Sequence, residues 1–215
     1  MTTLQQQEEL FTLIGDTCRK KVEAIVIGGS AMLYYNFSKT ATKGIDLVVG
    51  NEADRTTMIA ALDAIGFRKD FSPSREGEPY RLAHQDTTID LFAARIFKMT
   101  VSEPMRRRMT ESIDFHNLSV LVLSPEDIIL SKCMTDRQGD RLDAAAIVRE
   151  AKVAWDIILA ECLWQSAHGD RRFVVYLRDF LDDLRRQFGI AIPKDVLDRL
   201  QQRYAEFLES LGSAT

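Results

Sequence analysis

The chain has 215 residues, of which 46% are hydrophobic and 28% are charged, and its formal net charge is −4. A chain of this length and composition builds one large domain or two small ones, each with its own core, which excludes large-scale disorder. The acidic balance also argues against a nucleic-acid-binding domain held by charge alone, since such domains usually carry a basic excess.

Two features of the sequence indicate a cytoplasmic protein with no membrane partner. No apolar stretch approaches the ~20 residues that a membrane-spanning helix needs, and the first residues lack the basic start and apolar centre of a signal peptide. The three cysteines, Cys18, Cys133 and Cys162, are far apart and lie within apolar helical patterns. This placement favours buried, reduced thiols over a disulfide or zinc framework.

Residues 1–66 predict alternating helices and strands, because runs of β-branched residues alternate with apolar residues at helical spacing. In chain order we expect an amphipathic helix at about 3–21, a strand at 22–27, a helix from Ser30 to about Phe37, a loop at 38–44, a strand at 45–49 and a helix that Asn51 caps and Gly66 ends.

Residues 67–123 predict the remainder of a mixed sheet. The strand candidates lie at 67–70, 80–84, 88–92 and 118–123, with a loop around Pro73, Gly77 and Pro79. We therefore expect residues 1–123 to form a helix-flanked mixed sheet, which makes the fold class α/β (α+β).

The composition changes near residue 123, where a helical region begins. Ser124 offers a hydroxyl cap, Pro125 suits the first helical position, and two acids follow near the positive end of the helix dipole. Apolar residues then keep helical spacing from Ala144 to Cys162 and again toward the C-terminus. The sequence thus predicts an α/β domain at 1–123 and a helical domain at 124–215.

A glycine pair and an isolated acid are the residues that indicate which class of reaction this chain would catalyse. Gly28-Gly29-Ser30 follows a strand and opens a helix, which supplies backbone N–H groups suited to phosphate oxygens. Asp46 lies within an apolar, β-branched run, where strand statistics disfavour an acid, and its carboxylate suits a hard cation. This combination points to phosphoryl or nucleotidyl transfer.

With the later segment Thr88-Ile89-Asp90-Leu91-Phe92, this pattern resembles the DNA polymerase beta-like nucleotidyltransferase superfamily, in particular its small abortive-infection members. The resemblance covers residues 22 to about 147. It implies a nucleoside triphosphate substrate, two Mg²⁺ ions, and an acceptor that is RNA, a protein or a small molecule. Some such members are toxins of toxin–antitoxin pairs, which implies an antitoxin partner.

The resemblance also assigns roles to individual residues. It implies Asp46 and Asp90 as catalytic residues and metal ligands, and it implies nucleotide-binding roles for Gly28, Gly29, Ser30 and Lys132. Asp143 is interpreted as a structural partner of Arg141 or Arg137.

The chain departs from the family pattern at Gly44, where the first acid of an Asp-x-Asp pair belongs. Alternation along a strand places positions 44 and 46 on one face, so the missing carboxylate would weaken a two-metal clamp. Three explanations stay open: a degenerate enzyme, a deliberate or accidental substitution, or replacement by another acid such as Glu52 or Asp54.

Two other classes of function remain as alternatives. One is a catalytically inactive binding module with the same fold, for which Gly44 is the evidence, and the other is a helical interaction protein. Arginine clusters at 106–108, 171–172 and 185–186 are candidates for an RNA path, but surface pairing with nearby acids is the favoured interpretation.

Overall fold

The computed structural model describes residues 1–35, 37–70, 79–110 and 112–212. The chain forms two compact units: Met1–Phe97 with Val101–Ser124, and Lys98–Thr100 with Pro125–Thr215. Of the loop predicted around Pro73, Gly77 and Pro79, the first two residues lie outside the described residues. Separate folding of 1–123 and 124–215 stays a prediction.

The strands of the described residues run as follows: β1 Val22–Ile27, β2 Ile45–Val49, β3 Arg68–Lys69, β4 Tyr80–His84, β5 Thr87–Ala93, β6 Arg95–Ile96, β7 Met99–Thr100, β8 Ile113–Phe115 and β9 Leu118–Val122. Seven of them form one sheet in the order β3-β4-β5-β2-β1-β9-β8. β1 pairs antiparallel with β2 and parallel with β9, and β2 pairs parallel with β5. The sheet is therefore mixed, with β2 near its centre.

The helices of the described residues are α1 Leu4–Thr17, α2 Gly28–Met32, α3 Glu52–Ala64, α4 Glu103–Arg108, α5 Pro125–Lys132, α6 Gln138–Glu150, α7 Trp155–His168, α8 Phe173–Phe188 and α9 Lys194–Gly212, with a 3₁₀ turn at Leu33–Tyr35. The helices α1 and α3 contact each other and cover the sheet of the first unit. Asn51 caps α3 as predicted, since its side chain accepts a hydrogen bond from the Asp54 N–H.

The predicted class, a mixed sheet flanked by helices and followed by helices, is confirmed. Each unit has an apolar core: fully buried side chains include Phe11, Leu47, Met58 and Leu91 in the first unit, and Leu159, Phe173, Leu177 and Phe180 in the second. The three cysteines are buried and unpaired, as expected. Across the described ranges, no helix is long and apolar enough to cross a membrane.

The structure differs from the prediction between residues 144 and 162, where helical spacing continues but the helix does not. α6 ends at Glu150, and α7 begins only at Trp155. The interruption is stabilised within the second unit, because Glu126 accepts a hydrogen bond at 3.1 Å from the backbone N–H of Ala154, the residue that caps α7. The short elements β6, β7, α4 and β8 were also missed.

Candidate functional site

Asp46 and Asp90 occupy directly paired positions on the parallel strands β2 and β5. Paired residues on adjacent strands point to the same face, and adjacent strands lie about 4.8 Å apart. Both side chains are partly exposed. The two acids that the sequence places far apart in the chain therefore meet on one face of the sheet, as the resemblance requires.

The glycine turn, which is Gly28-Gly29 at the start of α2, lies directly beside this acidic pair. β1 ends at Ile27, which is paired with Asp46, and Gly28 follows with φ of +59°. This left-handed conformation is costly for residues with a Cβ. A Cβ at position 28 would also lie 2.8 Å from Asp46 Oδ2, so the backbone favours glycine here and any side chain would force the carboxylate to shift.

Ser30 connects the glycine turn to the start of β2. Its side chain is fully buried; the hydroxyl donates to the Gly44 carbonyl at 3.0 Å and accepts from the Asp46 N–H at 3.3 Å. The Thr42 hydroxyl donates to the same carbonyl at 3.1 Å. These contacts fix the position of Asp46. Phosphate binding by Ser30 stays a prediction, and its hydroxyl is already engaged within the protein.

The space beside Gly44 is filled by Thr88 on the neighbouring strand. A Cβ at position 44 would lie 2.5 Å from Thr88 Oγ1 and 3.3 Å from the Thr88 carbonyl oxygen. Both distances are shorter than ordinary van der Waals contacts, so the present packing does not admit an acid at this position without a shift of Thr88.

Glu52 and Asp54 do not take the place of the missing acid. They follow the C-terminal end of β2, whereas Asp46 lies near its start, and strands extend about 3.3 Å per residue. Asp54 pairs with Lys20 at 3.2 Å, and Glu52 pairs with Arg55. Replacement of the missing acid by Glu52 or Asp54 is therefore excluded.

Arg81 holds the carboxylate of Asp90 at both oxygens. The two residues are paired across the antiparallel strands β4 and β5; Arg81 Nε lies 2.6 Å from Asp90 Oδ1, and Nη2 lies 2.6 Å from Oδ2. The hydrogen bonds to Asp90 raise the pKa of Arg81, and the charge of Asp46 adds to this effect. The Arg81 guanidinium therefore lies next to the acidic pair and is held in place by Asp90. This residue was not predicted from the sequence.

Lys39 is a second residue that sequence reasoning missed. Its Nζ lies 3.5 Å and its Cε 3.1 Å from the position that a Cβ would take at Gly29. The loop at 38–44, interpreted from sequence as a simple connection, therefore brings a lysine side chain against the glycine turn. A basic residue between the glycine pair and the acidic strand was the available signal.

Lys132 lies in a buried ion-pair cluster of the second unit. Its side chain is 5% exposed, and Nζ lies 2.9 Å from Asp140 Oδ1 and 2.7 Å from Asp143 Oδ2. Arg141, one predicted partner of Asp143, pairs with Asp183 at 2.7 Å, and its pairing with Asp143 stays a prediction. Nucleotide binding by Lys132 stays a prediction, and the structure shows that two carboxylates already engage its ammonium group.

The carboxylates of Asp46 and Asp90 suit at least one Mg²⁺ ion, and a second ion stays a prediction. Among the residues that the structure describes, no three acidic, histidine or cysteine side chains form a metal-binding group. Asp46 and Asp90 are directly paired carboxylates, and Mg²⁺ usually binds one or two carboxylates together with substrate phosphates. Each carboxylate oxygen has two lone pairs, so Asp90 can contact Arg81 and still bind a cation.

Several solved structures are similar to this chain. The antibiotic-resistance factor ANT(2'')-Ia is 16% identical over 100% of both chains, with a TM-score of 0.47. An antigenic nucleotidyltransferase-like protein from Paracoccidioides brasiliensis is 18% identical over 70% of this chain and 78% of its own, with a TM-score of 0.42.

No curated protein sequence matches the chain. A family model described as "Nucleotidyltransferase of unknown function (DUF6036)" matches residues 3–166, which is most of the chain. The predicted superfamily is thereby confirmed, and the protein belongs to this family of nucleotidyltransferases.

Proposed function

We propose that the protein binds a nucleoside triphosphate with one Mg²⁺ at the glycine turn and transfers the nucleotidyl group to an acceptor. The observation that carries this proposal is the direct pairing of Asp46 with Asp90 beside Gly28. Membership in the nucleotidyltransferase family supports the class of reaction.

The residues around the turn have distinct roles in this proposal. The backbone N–H groups of Gly28 and Gly29, with the Lys39 ammonium, bind phosphate oxygens. Asp46 and Asp90 hold the Mg²⁺, which when bound neutralises phosphate charge and stabilises the leaving group. Ser30 keeps Asp46 in position through its two hydrogen bonds.

The reaction is a displacement at the α-phosphorus. An acceptor oxygen forms a bond to this phosphorus while the bond to the bridging oxygen breaks, so pyrophosphate leaves and a hydroxyl proton passes to solvent. The protein's contribution is to position the phosphates and to stabilise their charge, as is general for this class of chemistry.

Transfer can be tested with each of the four α-labelled nucleoside triphosphates and a cell extract containing RNA, protein and small molecules. The proposal predicts Mg²⁺-dependent label on one class of acceptor and none with Asp46→Asn. Asp63→Asn, an exposed acid of α3 paired with Arg68, is the matched control and should label as the wild type does. No label with any nucleotide would contradict transfer.

A second candidate, a binding module without chemistry, is favoured by Gly44 and by the packing of Thr88 against it. This candidate predicts that the wild-type protein binds Mg²⁺ and a nucleoside triphosphate but releases no pyrophosphate with any acceptor. Calorimetry and a pyrophosphate assay on the same preparation separate the two functions.

The acceptor is proposed to be RNA, a protein or a small molecule. The arginine clusters pair with acids, as predicted: Arg106 with Glu23, Arg172 with Asp170, and Arg186 with Asp182, each at 2.9 Å. A toxin role with an antitoxin partner, and a cytoplasmic location, remain proposals. Growth arrest on expression, relieved by the product of an adjacent gene, would test the toxin role.

A further inference from the structure

Arg81 lies directly beside the acidic pair. It holds both oxygens of Asp90 at 2.6 Å, and Asp90 is the direct strand neighbour of Asp46. The three residues occupy paired positions on β4, β5 and β2, so their side chains share one face of the sheet.

Position 44 lacks the carboxylate that the family pattern provides for holding a second ion. Gly44 supplies no ligand, and Thr88 fills the space beside it. Bringing a triphosphate next to two carboxylates requires positive charge, because like charges in a partly desolvated site repel strongly. One Mg²⁺ ion and Lys39 supply positive charge beside the glycine turn. A further cation is then needed next to Asp90.

Resting on the proposed function, we infer that Arg81 takes the place of the second divalent cation and binds the triphosphate directly. Asp90 then has two tasks, because it contacts the single Mg²⁺ and holds the guanidinium in position.

The geometry of Arg81 suits this role. A guanidinium has five N–H donors in a fixed plane, and the pair with Asp90 uses the Nε donor and one donor of Nη2. The remaining donors are outside this pair. The Arg81 side chain is 45% exposed, whereas that of Asp90 is 16% exposed, so the cation rather than the acid presents more surface to a ligand. Planar, two-point recognition of phosphate is a property of arginine that lysine lacks.

The test counts metal ions and measures triphosphate binding in the full chain. Manganese replaces magnesium, electron paramagnetic resonance counts the bound Mn²⁺ per bound nucleotide, and calorimetry measures affinity for ATP, GTP, CTP and UTP. We expect one Mn²⁺ per bound nucleotide in the wild type. Arg81→Met should bind the nucleotide about tenfold or more weakly, the factor expected for loss of a charge-assisted hydrogen bond. The nucleotide affinity of Arg81→Lys should lie between those of the wild type and Arg81→Met.

Arg107→Met is the matched control, because Arg107 is an exposed arginine of α4 paired with Glu103, and it should bind as the wild type does. Unchanged affinity in Arg81→Met would overturn this inference while leaving the proposed function intact. Two Mn²⁺ ions per nucleotide in the wild type would overturn this inference and the one-metal part of the proposed function, but not nucleotidyl transfer itself. Absence of binding by the wild type would overturn both the inference and the proposed function. Circular dichroism reports whether each variant folds. If Arg81→Met does not fold, the number of ions bound by the wild type and the nucleotide affinity of Arg81→Lys test the inference.

Discussion

Gly28 and Asp46 approach so closely that a Cβ on the glycine would lie 2.8 Å from Asp46 Oδ2. The glycine turn after β1 and the acid near the start of β2 therefore form one structural unit, in which the turn limits where the carboxylate can point. Any side chain at position 28 displaces the acid that we propose as a metal ligand.

Gly28→Ala should lower both stability and nucleotide binding. The φ of +59° disfavours alanine by about 1–2 kcal/mol, and the new methyl group collides with Asp46. Urea unfolding measures the first effect and calorimetry with Mg²⁺ and nucleotide the second. Gly139→Ala is the control, since Gly139 lies in α6 with nothing within 4 Å of a new Cβ. It should not reduce stability, and a similar loss there would contradict this interpretation.

Restoring the missing acid should require two substitutions. Gly44→Asp alone places its Cβ 2.5 Å from Thr88 Oγ1, so we expect a destabilised protein with little gain in metal binding. Adding Thr88→Ala removes that oxygen and gives the carboxylate room. The double variant should bind Mn²⁺ at least about tenfold more tightly than the wild type, because an added carboxylate ligand contributes strongly.

Isothermal calorimetry with Mn²⁺ alone compares the wild type, both single variants and the double variant. Thr88→Ala by itself is the control and should match the wild type in metal affinity. If Gly44→Asp alone bound Mn²⁺ as tightly as the double variant, the packing of Thr88 would not be the obstacle.

The acids around Lys132 should make stability depend on pH. Burial opposes ionisation of Asp140, but Lys132, the Thr135 hydroxyl and Arg137 together hold its pKa below the usual value. A group with a lowered folded pKa stabilises the fold fully above its unfolded pKa, which is about 3.9, and loses that contribution as pH falls through its folded pKa.

Urea unfolding of wild type and Asp140→Asn should therefore differ most at neutral pH and converge below about pH 4. Asp198→Asn, in an exposed pair with Lys194 on α9, is the control and should change unfolding little at any pH. A difference between wild type and Asp140→Asn that stays constant from pH 7 to pH 3 would contradict the predicted linkage.

Much of the fold was predictable from the sequence, because local patterns determine its central elements. Buried β-branched runs predicted β1 and β2 with their bounds, and the cap Asn51 predicted the start of α3. The pairing of Asp46 with Asp90 is long-range and followed only from the family resemblance. Nothing in the residues themselves requires β2 and β5 to be parallel neighbours.

Other features were missed for identifiable reasons. Arg81 faces Asp90 because a tight turn at Gln85 and Asp86 sets the register of β4 and β5. Gln85 adopts a φ of +51°, and a glutamine gives no sequence signal for such a turn. At the break between α6 and α7, the backbone of Ala154 donates a hydrogen bond to Glu126, a distant residue, and periodicity within a segment does not report distant contacts.

Calorimetric titration of the wild-type protein with each nucleoside triphosphate, with Mg²⁺ and then with EDTA, tests the central claim most directly. We predict binding of at least one nucleotide with Mg²⁺ and at least about tenfold weaker binding in EDTA or in Asp46→Asn, as loss of a metal ligand implies. Asp63→Asn should bind as the wild type does. Equal binding in EDTA, or by Asp46→Asn, would contradict a metal-dependent nucleotide site at the paired acids.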